Sequence, residues 1–363
     1  MRTHFFTGFP GFIATELIKE LIRQGEAGKI YVLVLQHEAE NAQQKIREIM
    51  QEVGEEVPVK IIIGDITQPD LALAKKNLSE IRGYRLTIWH LAAIYDLAVK
   101  PDIAWKVNVE GTRHVNAFVY EHPSIDRYMY FSTAYVAGRR EGRLLETELV
   151  RPTAFKNHYE ETKFEAELLV ENLKKEKPIT IIRPGIVRGH SVTGETMKFD
   201  GPYFFMNMID RLRWMPFIPY VGKTHARINV VPIDYILSAT IYLSGKDEAV
   251  GKTIHLTDPS PHPVEEVFRA MTIALTGKKP KGRLPQKIVE LSLKPTFVQR
   301  KLGVEVETLD YLNWNSHFDT SLAEKLLEGS AIVCPDFIKT IPSMAEFYVE
   351  HKLNDAFQIK IGE

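Results

Sequence analysis

Seven residues into the chain a strand-like apolar run breaks at Thr7-Gly8-Phe9-Pro10-Gly11-Phe12-Ile13-Ala14 and passes into a helical stretch from Thr15 to Gln24. A strand that turns on glycines into a helix points the first, unpaired N–H groups of that helix at whatever lies beyond the turn, an arrangement suited to a pyrophosphate. One glycine makes the tight turn, a second lets backbone approach the phosphates, and a small third residue keeps helix and strand close. Gly8, Gly11 and Ala14 supply these in a GxxGxxA spacing, with Gly11 as the pyrophosphate neighbour. Thr7, Phe9, Pro10, Phe12 and Ile13 complete the loop and count with it as cofactor-binding positions. A turn of this kind commits the chain to a strand–helix–strand start, and so to a parallel sheet.

The following sequence keeps to that plan. Strands are predicted near Thr3-Thr7, Ile30-Leu35, Val59-Ile63, Thr87-Leu91, Arg127-Phe131 and Thr180-Ile182, with helix-like spacing between them in stretches such as Glu40-Val53 and Trp105-Tyr120. The expected fold is α/β: a Rossmann-type, doubly wound parallel sheet with a smaller, mainly helical C-terminal substrate lobe. After Arg183-Pro184-Gly185 the texture turns to Gly/Pro-punctuated sequence. Val231-Pro232 leading into Asp234-Leu237 then predicts a return to the sheet. Residues 1–188 and about 226–257 are assigned to the nucleotide-binding domain, and about 189–225 and 258–363 to the substrate lobe.

Composition excludes more than it names. Lysine and arginine number 46 against 47 acids, for a net charge of -1, so no global field draws the protein to nucleic acid. The single cysteine, Cys334, builds neither an internal disulfide nor a thiolate cage and fits a cytoplasmic location. Met1 runs straight into the first strand without a signal-peptide pattern, and the longest apolar runs are far short of the roughly 20 residues of a membrane span. The twelve histidines include no HExxH pair, so no metal is expected.

The chemistry-bearing residues follow the fifth strand. Phe131-Ser132-Thr133 sets two hydroxyls at its carboxyl end, where an open α/β sheet places its site. Tyr159 and Lys163, four apart in Asn157-His158-Tyr159-Glu160-Glu161-Thr162-Lys163, share one helix face. A lysine cation beside a tyrosine favours the phenolate and brings a group of ordinary pKa near 10 into working range. Thr133, in preference to Ser132, would then hold a carbonyl oxygen, Tyr159 would protonate it, and Lys163 would bias that proton and anchor the nicotinamide ribose. Ser132 remains a cofactor-lining position.

At the end of the second strand, Gln36-His37 offers neither the carboxylate that accepts ribose hydroxyls of NAD nor a clear base for the extra phosphate of NADP. The missing carboxylate favours NADP(H) over NAD(H), with Gln36 at the contact. Asp65 and Ile66, after the third strand, are placed for the adenine edge, with a turn-capping role for Asp65 as the competing reading.

With these parts in order, the chain resembles the extended short-chain dehydrogenase/reductases, through Thr7-Gly8-x-x-Gly11, Asp65, Ala92-Ala93, Asn108, Thr133, Tyr159 and Lys163. Within them it looks most like the fatty acyl-CoA reductase and carrier-protein thioester reductase branch, the male-sterility group. Gly64-Asp65-Ile66-Thr67-Gln68-Pro69, Asn108-Val109-Glu110-Gly111-Thr112, Arg183-Pro184-Gly185-Ile186-Val187, Asp200-Gly201-Pro202 and Cys334-Pro335 carry that narrower likeness. The resemblance implies that Gly8, Gly11 and Asp65 bind cofactor, that Ala92, Ala93, Asn108, Pro184, Gly185, Ile186 and Val187 line its site, and that Thr133, Tyr159 and Lys163 are catalytic. It also implies an acyl or carbonyl substrate, carried on coenzyme A or a separate carrier protein and reduced through a hemithioacetal to aldehyde, with alcohol after a second hydride. Gln36 stands where this branch often has arginine.

Two other classes use the same parts: a nucleotide-sugar epimerase or dehydratase that recycles bound NAD, and a non-catalytic NAD(P) sensor. Gly189-His190-Ser191-Val192-Thr193-Gly194 lacks the GxSxG spacing of a hydrolase elbow. The aromatic and methionine-rich segment from Tyr203 to Tyr220 reads as an acyl-tunnel wall, as core, as a homodimer contact, or, through Arg211, Arg213 and Trp214, as a membrane-surface element. The basic cluster Lys278-Lys279-Pro280-Lys281-Gly282-Arg283 reads as a solvated loop or a clamp for coenzyme A phosphates.

Overall fold

Neighbouring residues on the strands are apolar in both directions, which demands a helical layer on each side of the sheet. The computed structural model describes residues 1–54, 57–95 and 99–359. Its main sheet comprises β1 (Arg2–Thr7), β2 (Ala27–Val34), β3 (Val59–Ile63), β4 (Leu86–His90), β5 (Ile125–Phe131), β6 (Ile179–Pro184) and β7 (Thr253–Leu256). They pair in the order β3-β2-β1-β4-β5-β6-β7, every pair parallel. Phe6, Val32, Trp89, Met129 and Ile182 face one side, covered by α1 (Phe12–Arg23) and α2 (Ala39–Val53). Phe5, Tyr31, Ile88, Tyr128 and Ile181 face the other, covered by α3 (Lys75–Arg82), α4 (Gly111–Glu121) and α5 (His158–Leu173). The strand order reverses between β1 and β4, so a crevice opens beyond their carboxyl ends.

All six predicted strands lie in this sheet, and the chain returns to it within residues 226–257 as expected, but through Thr253–Leu256 and not through Val231-Pro232. Val230–Pro232 pairs instead with Ile186–Arg188 in a separate two-stranded ladder. The chain leaves the sheet at Gly185, where a Cβ would lie 2.7 Å from the Asn229 side chain, and Pro232 has no N–H for a central ladder. The seventh strand is β7, whose Ile254 and Leu256 enter the core beside β6.

A second core gathers α6 (Tyr203–Arg211), α8 (Val264–Thr276) and α9 (Phe337–His351) around Phe199, Phe268 and Met344. Between these, α7 (Ile233–Ser244) packs back onto the α1 side of the sheet. So does the short helix Ser321–Leu327, through Ala323, Leu326 and Leu327, although its sequence position lies within the stretch assigned to the substrate lobe.

Candidate active site

The glycine turn occupies the end of β1 beside the start of the segment that follows β4. Gly8 has φ +90°, and a Cβ there would lie 2.7 Å from the backbone nitrogen of Ala92, so only glycine fits. Gly11 donates its N–H to Gly8 O at 2.8 Å and opens α1, whose first turn has no side-chain cap and no acidic residue. Phe9 is buried in the core and Phe12 and Ile13 pack against it, so these three present backbone, rather than side chains, to a ligand. Ala14 is buried where α1 meets the sheet. An uncapped helix start without a carboxylate, at the crevice of the sheet, fits a dinucleotide pyrophosphate.

A line of hydrogen bonds fixes the β1–β4 edge. Thr112 Oγ1 donates to Asn108 O at 2.6 Å and so accepts from His90 Nε2 at 3.1 Å. His90 Nδ1 then accepts from Thr7 Oγ1 at 2.7 Å, which in turn accepts from Ala92 N at 3.3 Å. This assignment needs a neutral imidazole, and burial together with the Lys163 cation pushes His90 down to about 3. Thr7 is therefore spent on protein partners. Asn108 is too: its side chain binds both backbone groups of Ile94, at 2.8 and 3.0 Å, and Thr162 Oγ1 at 3.0 Å. It holds the post-β4 segment, which carries Ala92 and Ala93, against α5.

Above β5, Thr133 and Tyr159 come together. Thr133 is buried and caps the turn Ala134–Ala137 by accepting from Tyr135 N at 3.2 Å. Its side chain also favours the Tyr159 phenolate. Burial outweighs that help, and Glu160 and Tyr95 add to it, so the phenol pKa lies above its ordinary value. Tyr159 thus keeps its proton at neutral pH. Lys163 points elsewhere than the sequence reading expects: Nζ donates to Phe131 O at 2.6 Å and to Tyr130 Oη at 3.1 Å, lying over the Tyr130 ring. Burial brings this ammonium down to about 7, against the opposing pull of Glu167.

Ser132 is turned away from Thr133, as alternation along a strand requires. Its hydroxyl donates to Glu167, whose carboxylate also receives Arg183 Nη2 at 2.6 Å and Nε at 2.9 Å. Arg183 continues to Glu148 O and to His255. The hydroxyl of Ser132, a residue that the sequence assigns to the cofactor lining, is thus bonded to this buried pair.

The remaining rim positions are distributed along the crevice. Gln36 is exposed in the short turn Gln36–Glu38 that ends β2. Asp65 Oδ1 accepts from Thr67 N at 2.8 Å, which is the turn-capping role, and Ile66 is buried against Gly111. Pro184 closes β6, and Gly185 turns the chain from it into Ile186–Arg188, where Val187 pairs with Val231.

Sequence reasoning missed the residues that grip α5 from outside the sheet. Tyr311 Oη donates to Glu160 Oε1 at 2.8 Å and accepts from Asn157 Nδ2 at 3.0 Å. Lys156 pairs with Glu160 at 3.4 Å and lies 3.5 Å from the Trp314 ring centre. The spacing of Lys156 and Glu160, four apart, was a local signal for half of this cluster; Tyr311 and Trp314 gave none. The turn carrying Tyr311 also contributes Leu309, followed by Leu312, to an apolar pocket of the second core with Phe204, Phe205, Met208 and Phe268. Three aromatics, Phe204, Phe205 and Tyr220, and one methionine of the Tyr203–Tyr220 segment thus line a cavity, while Trp214 and Phe217 face solvent.

A doubly wound parallel sheet with a glycine turn at its switch point and Thr133, Tyr159 and Lys163 above β5 defines an extended short-chain dehydrogenase/reductase. The chain belongs to the male sterility protein family, an NAD-binding group whose profile matches residues 6–240. It is 25% identical over 272 residues to the fatty acyl-CoA reductase wat of Drosophila melanogaster, covering 65% of this chain and 53% of that one. It is 23% identical over 291 residues to the nonribosomal peptide synthetase hkm10 of Aspergillus hancockii, covering 75% of this chain and 28% of the synthetase. The chain therefore spans about half of the first relative and little more than a quarter of the second. Among solved structures, the terminal R domain from the myxalamid PKS-NRPS biosynthetic pathway superposes with a TM-score of 0.83 at 25% identity, covering 98% of this chain and 92% of that domain. No helix of the described residues is long and apolar enough to cross a membrane.

Proposed function

We propose that the protein reduces an acyl thioester, carried on coenzyme A or a carrier protein, to an aldehyde with a reduced nicotinamide cofactor. The observation that carries the proposal is the placement of Thr133 just after the crevice end of β5 together with Tyr159 in the first turn of α5, where burial holds the phenol pKa above its ordinary value. The relatives named for acyl-CoA reduction and for a terminal reductase support the substrate class. NADPH is the preferred donor in this reading, because the two residues that open the turn after β2, Gln36 and His37, are not carboxylates.

Gly8, Gly11 and the open start of α1 hold the pyrophosphate, and the segment with Ala92 and Ala93 borders the nicotinamide half. A reduced nicotinamide cofactor held there would supply the hydride for the thioester carbon. Thr133 donates to the carbonyl oxygen and Tyr159 transfers its proton there as negative charge builds, giving a hemithioacetal; the Tyr159 phenolate then takes that proton back as the C–S bond breaks, releasing aldehyde and a thiolate that is protonated from solvent. Lys163, one helical turn beyond, stabilises the resulting phenolate by its charge when protonated. Asn108 keeps the post-β4 backbone and α5 in register.

Loss of NADPH and NADH absorbance with a series of acyl thioesters, products identified by mass, tests the assignment. Tyr159→Phe should slow aldehyde formation by on the order of a hundred- to ten-thousand-fold while cofactor binding persists. Tyrosine-independent turnover would refute the acid role. Cofactor that copurifies tightly and is never consumed would instead mark an epimerase that recycles NAD.

A further inference from the structure

The near-zero net charge of the chain conceals a strong local excess. Residues 278–301 contain eight lysines and arginines against one acid, Glu290, in a chain with 46 bases and 47 acids. All eight are exposed. Arg283 is tied to Glu265, but Lys279, Lys281, Lys287, Lys294 and Lys301 have no acid within salt-bridge distance among the described residues. Leu284, Ile288, Leu291 and Phe297 are exposed between them, Leu291 at 66% and Phe297 at 71%. The short helices Gln286–Leu293 and Thr296–Leu302 turn Val289, Leu293, Val298 and Leu302 toward the second core, so the mixed basic and apolar side faces outward. Trp214, 77% exposed, extends this face, since Lys278 Nζ donates to the carbonyls on either side of it, Arg213 O and Met215 O, at 3.3 and 3.1 Å.

We propose that this face docks the protein on an anionic phospholipid surface. Large apolar side chains held in water gain by entering the headgroup region, and interleaved lysines gain from lipid phosphates, so the two terms act at one depth. Its position gives the docking a use. Strand Tyr220–Val221 lines the apolar pocket on one side and pairs with Arg283–Leu284 of the basic face on the other. A substrate with a long apolar tail, partitioned into the bilayer, is thereby delivered one strand away from the cavity that accommodates apolar groups. The docking itself does not depend on the reductase reading.

Vesicle sedimentation tests it. The full chain should pellet with mixed phosphatidylcholine and phosphatidylglycerol vesicles at low salt, remain in the supernatant with phosphatidylcholine alone, and be released by added salt. At roughly five-fold per lysine, a variant combining Lys279→Glu, Lys281→Glu, Lys287→Glu and Lys294→Glu should lose partitioning by several hundred-fold or more. Leu291→Ser with Phe297→Ser should weaken binding while leaving its salt dependence in place. Matching melting temperatures will establish that each variant is folded. Failure of the wild type to pellet with anionic vesicles, equal pelleting of the lysine variant, or binding only to free coenzyme A or to an acidic acyl carrier protein would overturn the proposal.

Discussion

The hydroxyl of Tyr311 donates to Glu160 Oε1 across 2.8 Å, so a residue from outside the sheet holds the neighbour of the site tyrosine. Glu160 is fully buried, and burial raises its pKa against the opposing effect of Lys156. Two residues share this carboxylate through three donors: Lys156 through both N–H and Nζ, and Tyr311 through its hydroxyl.

Tyr311→Phe removes one of those donors without changing shape. It should cost about 1–3 kcal/mol in urea unfolding, because Glu160 and Asn157 each lose a buried partner. In the reductase assay it should lower kcat and leave the KM for cofactor unchanged, since Tyr311 bonds to Asn157 and Glu160 at the start of α5 and not to the glycine turn. A fall in stability with unchanged kcat would reduce Tyr311 to a structural strut.

Lys163 makes stability depend on pH in a predictable direction. Its folded pKa of about 7 lies below the unfolded value near 10.4. Across that window the unfolded chain binds the additional proton, so this group makes stability rise with pH, and the penalty is greatest below pH 7. Urea midpoints recorded from pH 6 to 9 should climb more steeply in the wild type than in Lys163→Met. Parallel curves would show that the lysine keeps its charge in the fold.

Gly8→Ala meets two obstacles at once: φ of +90°, and backbone atoms of Leu91 and Ala92 at 2.8 and 2.7 Å from the added carbon. The turn must shift, with a stability loss of about 2–4 kcal/mol. Isothermal titration should show cofactor binding lost even at temperatures where circular dichroism reports a folded chain. Retained binding would mean that the turn tolerates the shift.

Arg183→Met leaves Glu167 as a buried carboxylate with only Ser132 as a side-chain donor. Stranding that charge should cost about 3–5 kcal/mol. The double replacement Arg183→Met with Glu167→Leu should recover much of the loss, which chemical denaturation can read directly.

What was legible in the sequence was whatever has a short period. Six strands, the glycine turn and the Tyr159–Lys163 helix all show themselves within a few residues, and alternation alone requires Ser132 and Thr133 to face opposite ways. Long-range pairing did not show. Whether Val231-Pro232 or Thr253–Leu256 closes the sheet depends on the turn Gly185 makes against Asn229, and neither segment carries that information alone. The orientation of Lys163 was hidden for the same reason, being set by the Phe131 carbonyl and the Tyr130 hydroxyl on another element. Asn108 read as cofactor lining because its type and place fit, while its actual partners sit on two separate segments.

The turn that ends in Tyr311 has consequences for exchange of parts between relatives. Leu309 lines the apolar cavity and Tyr311 grips α5, so one short segment joins the cavity to the helix that carries Tyr159. A chimera that swaps the C-terminal half to change cargo would import a foreign buttress for Tyr159 with it. Under the proposed function, chain-length preference and turnover would be inherited together, and separating them would require editing around this turn while Tyr311 and Glu160 stay matched.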